Sequence, residues 1–140
     1  MKFKVTGAAA LEKKLKALAY EGSKKANRRA VNAGTTPLLR AVKAATPTDS
    51  GSLRRAMTKK VSGKGYAVNG KVGAARDYVG PDGQQPAHYL HLVELGHIAE
   101  DGTAVPPAAP LRKGYDSGVG PARAAYQAKL KDQIEKEAMK

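Results

Sequence analysis

Cysteine and tryptophan are absent from this sequence, and phenylalanine occurs once. Without cysteine there is no disulfide, no thiolate metal site and no cysteine nucleophile. Aromatic residues make up 5% of the chain, so a core must be built from Leu, Val, Ala and a few Tyr, and it will be thin. The 140 residues suit one domain with a modest core, and residues 1–140 are read as a single domain. Oligomerisation would supply the burial that such a core lacks. No apolar run approaches the roughly 18 residues of a membrane span. Met1-Lys2-Phe3-Lys4-Val5-Thr6 lacks the apolar stretch of a signal peptide. These absences predict a soluble cytosolic product with no membrane partner.

Acids are scarce in the first half. Residues 1–64 carry 16 Lys/Arg against Glu12, Glu21 and Asp49, a net of +13, whereas residues 65–140 carry 9 and 9. The whole basic excess therefore lies before Gly65. Lys13, Lys16, Lys24, Lys25, Arg28 and Arg29 form the basic surface of that half. One reading is a face for nucleic acid or an acidic protein. The plainer one is a solvated lysine-rich helix. Eleven Lys/Arg against two acids before Pro47 is too lopsided for a neutral helix laced with salt bridges, which favours a partner.

The chain is organised around Thr46-Pro47-Thr48-Asp49-Ser50-Gly51-Ser52-Leu53-Arg54-Arg55. Thr46 precedes a proline and is pushed out of the α region, so a helix from upstream should stop there. Asp49, Ser50 and Gly51 are turn formers. Asp49 or Ser50 could N-cap a short helix carrying Leu53, Arg54 and Arg55.

Before that turn, Lys2 to Val5 alternates and could be an edge strand. Leu11, Leu15, Leu18 and Gly22 then form a helical stripe, continued by Ala26, Ala30 and Ala33. The change to small residues suggests close approach of another element; a helix lying on a sheet is the commoner arrangement. Lys24 with Arg28 and Lys25 with Arg29 are like-charge pairs that oppose an isolated helix, so packing or an anionic partner must hold this segment. Gly34-Thr35-Thr36-Pro37 could open a second helix; one long helix bent there is the favoured reading. After the turn, Ala56 to Ser62 reads as a strand with Met57, Lys59 and Val61 alternating, Ser62-Gly63-Lys64-Gly65 as a turn, and Tyr66 to Val72 as the return strand. Asn69-Gly70 would be a tight turn or a bulge, and Asp77 to Gly80 a third strand of a small meander. His88 to Gly96 fits a short helix with Gly96 as C-cap, or a strand. Residues 97–107 read as an irregular loop. Pro110 opens a short helix and Pro121 a last one, with Tyr126, Leu130 and Ile134 on one stripe.

Candidate chemistry is sparse. His88, His91, Glu94 and His97 are spaced by three. On a helix that spacing drifts by about 60° per step, so a compact metal site would need distortion; solvent or interface histidines are the plainer reading, and no metal or cofactor is expected. No Gly-x-Ser-x-Gly or Walker-type loop occurs. Glu94 is the one acid in an apolar segment and should be partly buried and paired, with an arginine as the natural partner; a general base is the alternative. Phe3 and Tyr20 are the only aromatics of the basic half, so a nucleic-acid contact would rest on phosphates and be non-specific.

Three stretches in order carry a resemblance: Thr46-Pro47-Thr48-Asp49-Ser50-Gly51-Ser52-Leu53-Arg54, Tyr89 through Val93-Glu94-Leu95-Gly96, and Ala108-Ala109-Pro110-Leu111-Arg112. Together they resemble the HK97 gp10-like family of tailed-phage proteins, with its T-P-x-D-T-G-x-L-R turn, Y-A-x-x-V-E-x-G-T segment and P-F-L-R-P-A segment before a terminal helix. The resemblance implies an α+β fold: a long N-terminal helix packed on a small, mostly antiparallel sheet, with short helices and a C-terminal helix. It implies a structural virion protein of the head-tail neck or tail-completion region, not an enzyme and without cofactors. Such proteins resemble tail-terminator and connector-associated proteins that assemble as rings. The implied partners are further copies of itself, connector or stopper proteins, and tail-tube or tail-terminator proteins, with DNA in the lumen as a further contact of the basic half. The implied location is the virion, and the host cytoplasm before assembly. Asp49, Gly51, Leu53 and Arg54 would then form the helix-to-sheet junction, with Glu94, two residues before Gly96, paired to Arg112 or Arg54 to lock the second half onto it. Ser50, His97 and the missing Phe before Leu111 depart from the family pattern, and the stretch from His97 to Pro107 is longer than typical.

Overall fold

The computed structural model describes residues 8–65 and 67–139, and for residues 8–19 and Ala138 the backbone alone. The edge strand expected at Lys2 to Val5 lies outside the described residues. Helix α1 (Ala8–Ala45) leads through the central turn into α2 (Ser52–Ala56). An antiparallel hairpin, β1 (Met57–Lys64) and β2 (Ala67–Ala74), follows, then α3 (Pro86–Leu95). A second small hairpin, β3 (His97–Ile98) and β4 (Ala104–Val105), precedes α4 (Pro110–Ala138).

The long N-terminal helix, small antiparallel sheet and C-terminal helix give the expected α+β class. The largest contact of α1, however, is with α4 rather than with the sheet. Small residues make this possible. Ala26 and Ala30 are buried on α1, and Gly34 lies against Ala122 and Tyr126 of α4. Gly114 of α4 sits so close to α1 that a Cβ there would come within 2.5 Å of the Val42 Cα. The small-residue stripe is therefore a helix-helix seam within the chain. Tyr126 adds a hydroxyl hydrogen bond to Asn27 Oδ1 at 3.0 Å, and Arg29 Nη1 donates to Gln133 Oε1 at 2.6 Å.

Pro37 and Pro121 both lie inside helices. Helix α1 runs through Pro37, as the one-helix reading holds, and α4 runs through Pro121, which corrects the expectation of two helices there. Proline removes one hydrogen bond, a local cost of about 3 kcal/mol, which the continuous seam between α1 and α4 outweighs. In the turn before Pro37, Thr35 Oγ1 donates to Val31 O at 2.6 Å, and Lys59 Nζ of β1 donates to Asn32 O at 3.1 Å, tying the hairpin to the helix.

The sheet is two-stranded; among the described residues Asp77 to Gly80 forms no strand, and the meander expectation is corrected to a hairpin. Asn69-Gly70 is neither turn nor bulge, because both residues pair in regular register with Ser62 and Val61. Gly70 is small because Thr35 of α1 occupies the space its side chain would need. Residues 97–107, expected to be irregular, contain the β3–β4 hairpin.

The core collects at the C-terminal end of α1. Val42, Leu53 and Met57 are its buried centre, with Leu39, Val72, Tyr89, Leu90, Val93 and Leu111 packed around them. The other buried apolar side chains among the described residues are alanines and the prolines Pro86 and Pro110, so the core is as thin as the composition predicts.

Candidate assembly surfaces

The central turn is held by its own side chains. Thr46 is buried, and its Oγ1 donates to Val42 O at 2.6 Å, closing the last turn of α1. Arg54 Nη2 then donates to Thr46 O at 3.1 Å, tying α2 back to that end. Gly51 is the N-cap of α2 with φ 77°, a left-handed conformation that glycine adopts without strain. It takes the capping position expected of Asp49 or Ser50, although Ser50 Oγ does accept the Ser52 N–H at 3.3 Å. Leu53 enters the core. Asp49 is exposed and makes no hydrogen bond or ion pair among the described residues. It lines a hollow of about 300 Å³ with Pro47, Ser50, Asp82 and Tyr89. Burial pushes the Tyr89 hydroxyl above its ordinary range, and the charges of Asp82 and Asp49 add to the effect.

Glu94 does not pair with an arginine. Its two carboxylate oxygens accept the backbone N–H groups of Leu111 at 2.8 Å and Arg112 at 3.1 Å. Among the described residues no ion pair joins it to Arg112 or Arg54. The physical reason is position. Glu94 sits in the last turn of α3, facing the start of α4, where unsatisfied N–H groups and the helix dipole favour a carboxylate. Val93 O accepts the N–H groups of Ala108 and Ala109 beside it, so α3 and the start of α4 are clamped by one dipeptide. Gly96 closes α3 through its N–H to Leu92 O at 2.8 Å. The histidine series is broken up by the same geometry: His88 and His91 are exposed on α3, whereas His97 lies beyond the helix on β3. Among the described residues no three His, Cys, Asp or Glu side chains are grouped as a metal site.

The basic face of α1 is partly committed inward. Arg28 donates to the carbonyls of Gly63 and Val61, each at 3.3 Å. The Ala75 N–H to Ala56 O bond sets the phase of the ladder, so Met57, Lys59, Val61 and Gly63 turn their backbone groups away from β2. Arg28 therefore covers the free edge of β1. Arg29 is held by Gln133. Lys24 bonds Glu21 at 3.1 Å and lies 3.4 Å from the Tyr20 ring centroid, and Tyr20 first, then Glu21, raises its pKa. Lys25 is exposed with no partner among the described residues. The side chains of Lys13 and Lys16 lie outside the described residues.

A second basic surface was not foreseen. Met57, Lys59 and Val61 face α1, as their alternation predicts, so Thr58 and Lys60 face outward together with their partners Gly73 and Lys71. Lys60 and Lys71 stand directly opposite each other, a like-charge pairing that opposes the hairpin. Neither makes an ion pair among the described residues. With Arg76 they wall a hollow of about 640 Å³. The outward position of Lys60 was legible from the strand pattern. Its pairing with Lys71 was not, because the register depends on where the turn falls.

The profile of a family described as "Bacteriophage HK97-gp10, putative tail-component" matches residues 9–96, more than half of the 140-residue chain. No curated protein and no solved structure matches the chain.

Proposed function

The chain belongs to the HK97 gp10-like family of phage tail components, and on that premise we propose that it is a structural protein of the head-tail neck that acts in tail completion by ring assembly. The family match carries this reading: it spans α1, the central turn, the hairpin and α3, the elements that build the core. The thin core supports self-association, since a neighbouring copy would bury surface that the chain cannot bury alone. In this reading the chain is one domain, has no catalytic role and needs no cofactor. It passes from the host cytoplasm into the virion. There it docks on connector or stopper proteins at one end and on tail-tube or tail-terminator proteins at the other. No helix among the described residues is long and apolar enough to cross a membrane.

Uncompensated lysines favour a second reading, a non-specific nucleic-acid-binding protein that uses the basic N-terminal half. Its signature is an affinity that falls steeply with salt in proportion to the phosphates contacted. Ring assembly is tested by light scattering and electron microscopy of the purified chain at about 0.15 M salt and again at high salt, where exposed charge contacts are screened. Closed particles of fixed subunit number support the ring. A chain that stays monomeric while binding duplex DNA with a steep salt slope overturns it in favour of the second reading.

A further inference from the structure

The outer face of the β1–β2 hairpin has two properties that call for a partner. Lys60 and Lys71 face each other unpaired, with Lys64 and Arg76 exposed nearby. Opposite Thr58 stands Gly73, where an added Cβ would meet nothing within 4 Å, so the face is hollow between its cations. Ala75, Arg76 and Asp77 also line that hollow, whereas Val72 and Ala74, opposite Lys59 and Met57, turn their side chains toward α1.

The same chain carries a complementary knob. The turn joining β3 and β4 presents Glu100 and Asp101 at its tip, both exposed. Asp101 is held rigid by accepting the Thr103 N–H at 2.9 Å. Ile98 projects beside the tip, 68% exposed, an apolar side chain flanked by two carboxylates. The match to the family ends at Gly96, just before this hairpin begins.

We infer that the acidic β3–β4 tip of one copy seats on the basic outer face of the β1–β2 hairpin of the next, with Ile98 in the hollow over Gly73 and Glu100 and Asp101 against Lys60 and Lys71. This rests on the ring reading and names its contact. The contact is heterologous, since knob and socket are different surfaces, and repeating it generates a ring when the rotation closes. It also accounts for the opposed lysines: two carboxylates from the neighbour replace their mutual repulsion with attraction. The open space over Gly73 between the two lysines fits a knob that carries a side chain beside its carboxylates.

The test uses the full chain and charge reversal at exposed positions, with circular dichroism as the check on folding. The first variant, E100K/D101K, has a basic knob and a basic socket. The second, K60E/K71E, has an acidic knob and an acidic socket. Each alone should self-associate at least about tenfold more weakly than the parent chain by sedimentation velocity, roughly the effect of one close charge pair. Mixed in equal amounts, they should assemble again as alternating copies, because every knob then meets a socket of opposite sign. If both variants assemble like the parent, or if the mixture stays dissociated, this contact is overturned while the ring reading stands. A parent chain that remains monomeric at about 1 mM overturns the contact and the ring reading together. Loss of duplex-DNA binding in K60E/K71E with self-association unchanged assigns the face to DNA and also overturns it.

Discussion

Replacing Glu94 by Gln isolates the contact that joins the two halves of the molecule. The carboxylate accepts two backbone N–H groups, from Leu111 and Arg112, at the start of α4. A glutamine amide has one acceptor oxygen, so one N–H loses its partner and the amide NH₂ faces a donor. A hydrogen bond to a charged group contributes about 1.5–3 kcal/mol, and a charge at a helix N-terminus about 0.3–1 kcal/mol. Glu94 is half-buried, so part of the loss is recovered by water, and we expect about 2 kcal/mol. For a chain of this size that corresponds to roughly 4–8 °C in Tm. The assay is urea unfolding at fixed protein concentration, because self-association would otherwise shift the midpoint. Arg112→Ala is the control: only the backbone of Arg112 is used, so this substitution should cost less than about 0.5 kcal/mol, as is usual at exposed positions. A neutral Glu94→Gln would refute the capping account, and an Arg112→Ala as costly as Glu94→Gln would replace it with an ion pair.

Gly114→Ala should destabilise by about 3 kcal/mol or more in thermal unfolding, because its Cβ would meet the Val42 backbone and overpacking outweighs better helix propensity. Removing Arg28 should raise the tendency to aggregate, since it uncovers the carbonyls of a strand edge; turbidity on heating that matches the parent chain would show that the edge is not protected by this side chain. Asp132 is held below the usual carboxylate range first by Lys136, then by Gln133 and Lys129. Its folded value is depressed, so the stability it adds is present above the ordinary aspartate value near 3.8 and is lost as pH falls through the folded value. NMR titration should place its midpoint below that of a free aspartate, and Lys136→Ala should move it back up.

Local chemistry in the sequence was enough to place the helix stop before Pro47, the alternation of Met57, Lys59 and Val61, and the thin core. Each depends on one residue type or a short period, so neighbours in the chain carry the whole signal. The order of three motifs likewise carried the family resemblance. Tertiary structure decided the rest. The prolines at 37 and 121 sit inside helices because a seam of glycines and alanines between α1 and α4 compensates for a missing bond. Glu94 met backbone N–H groups rather than a guanidinium because α3 ends where α4 begins, a fact of three-dimensional placement. Lys60 came to face Lys71 through a register that only the closed hairpin defines. Composition and periodicity say which residues share a face of one element; only packing says which groups of two elements meet.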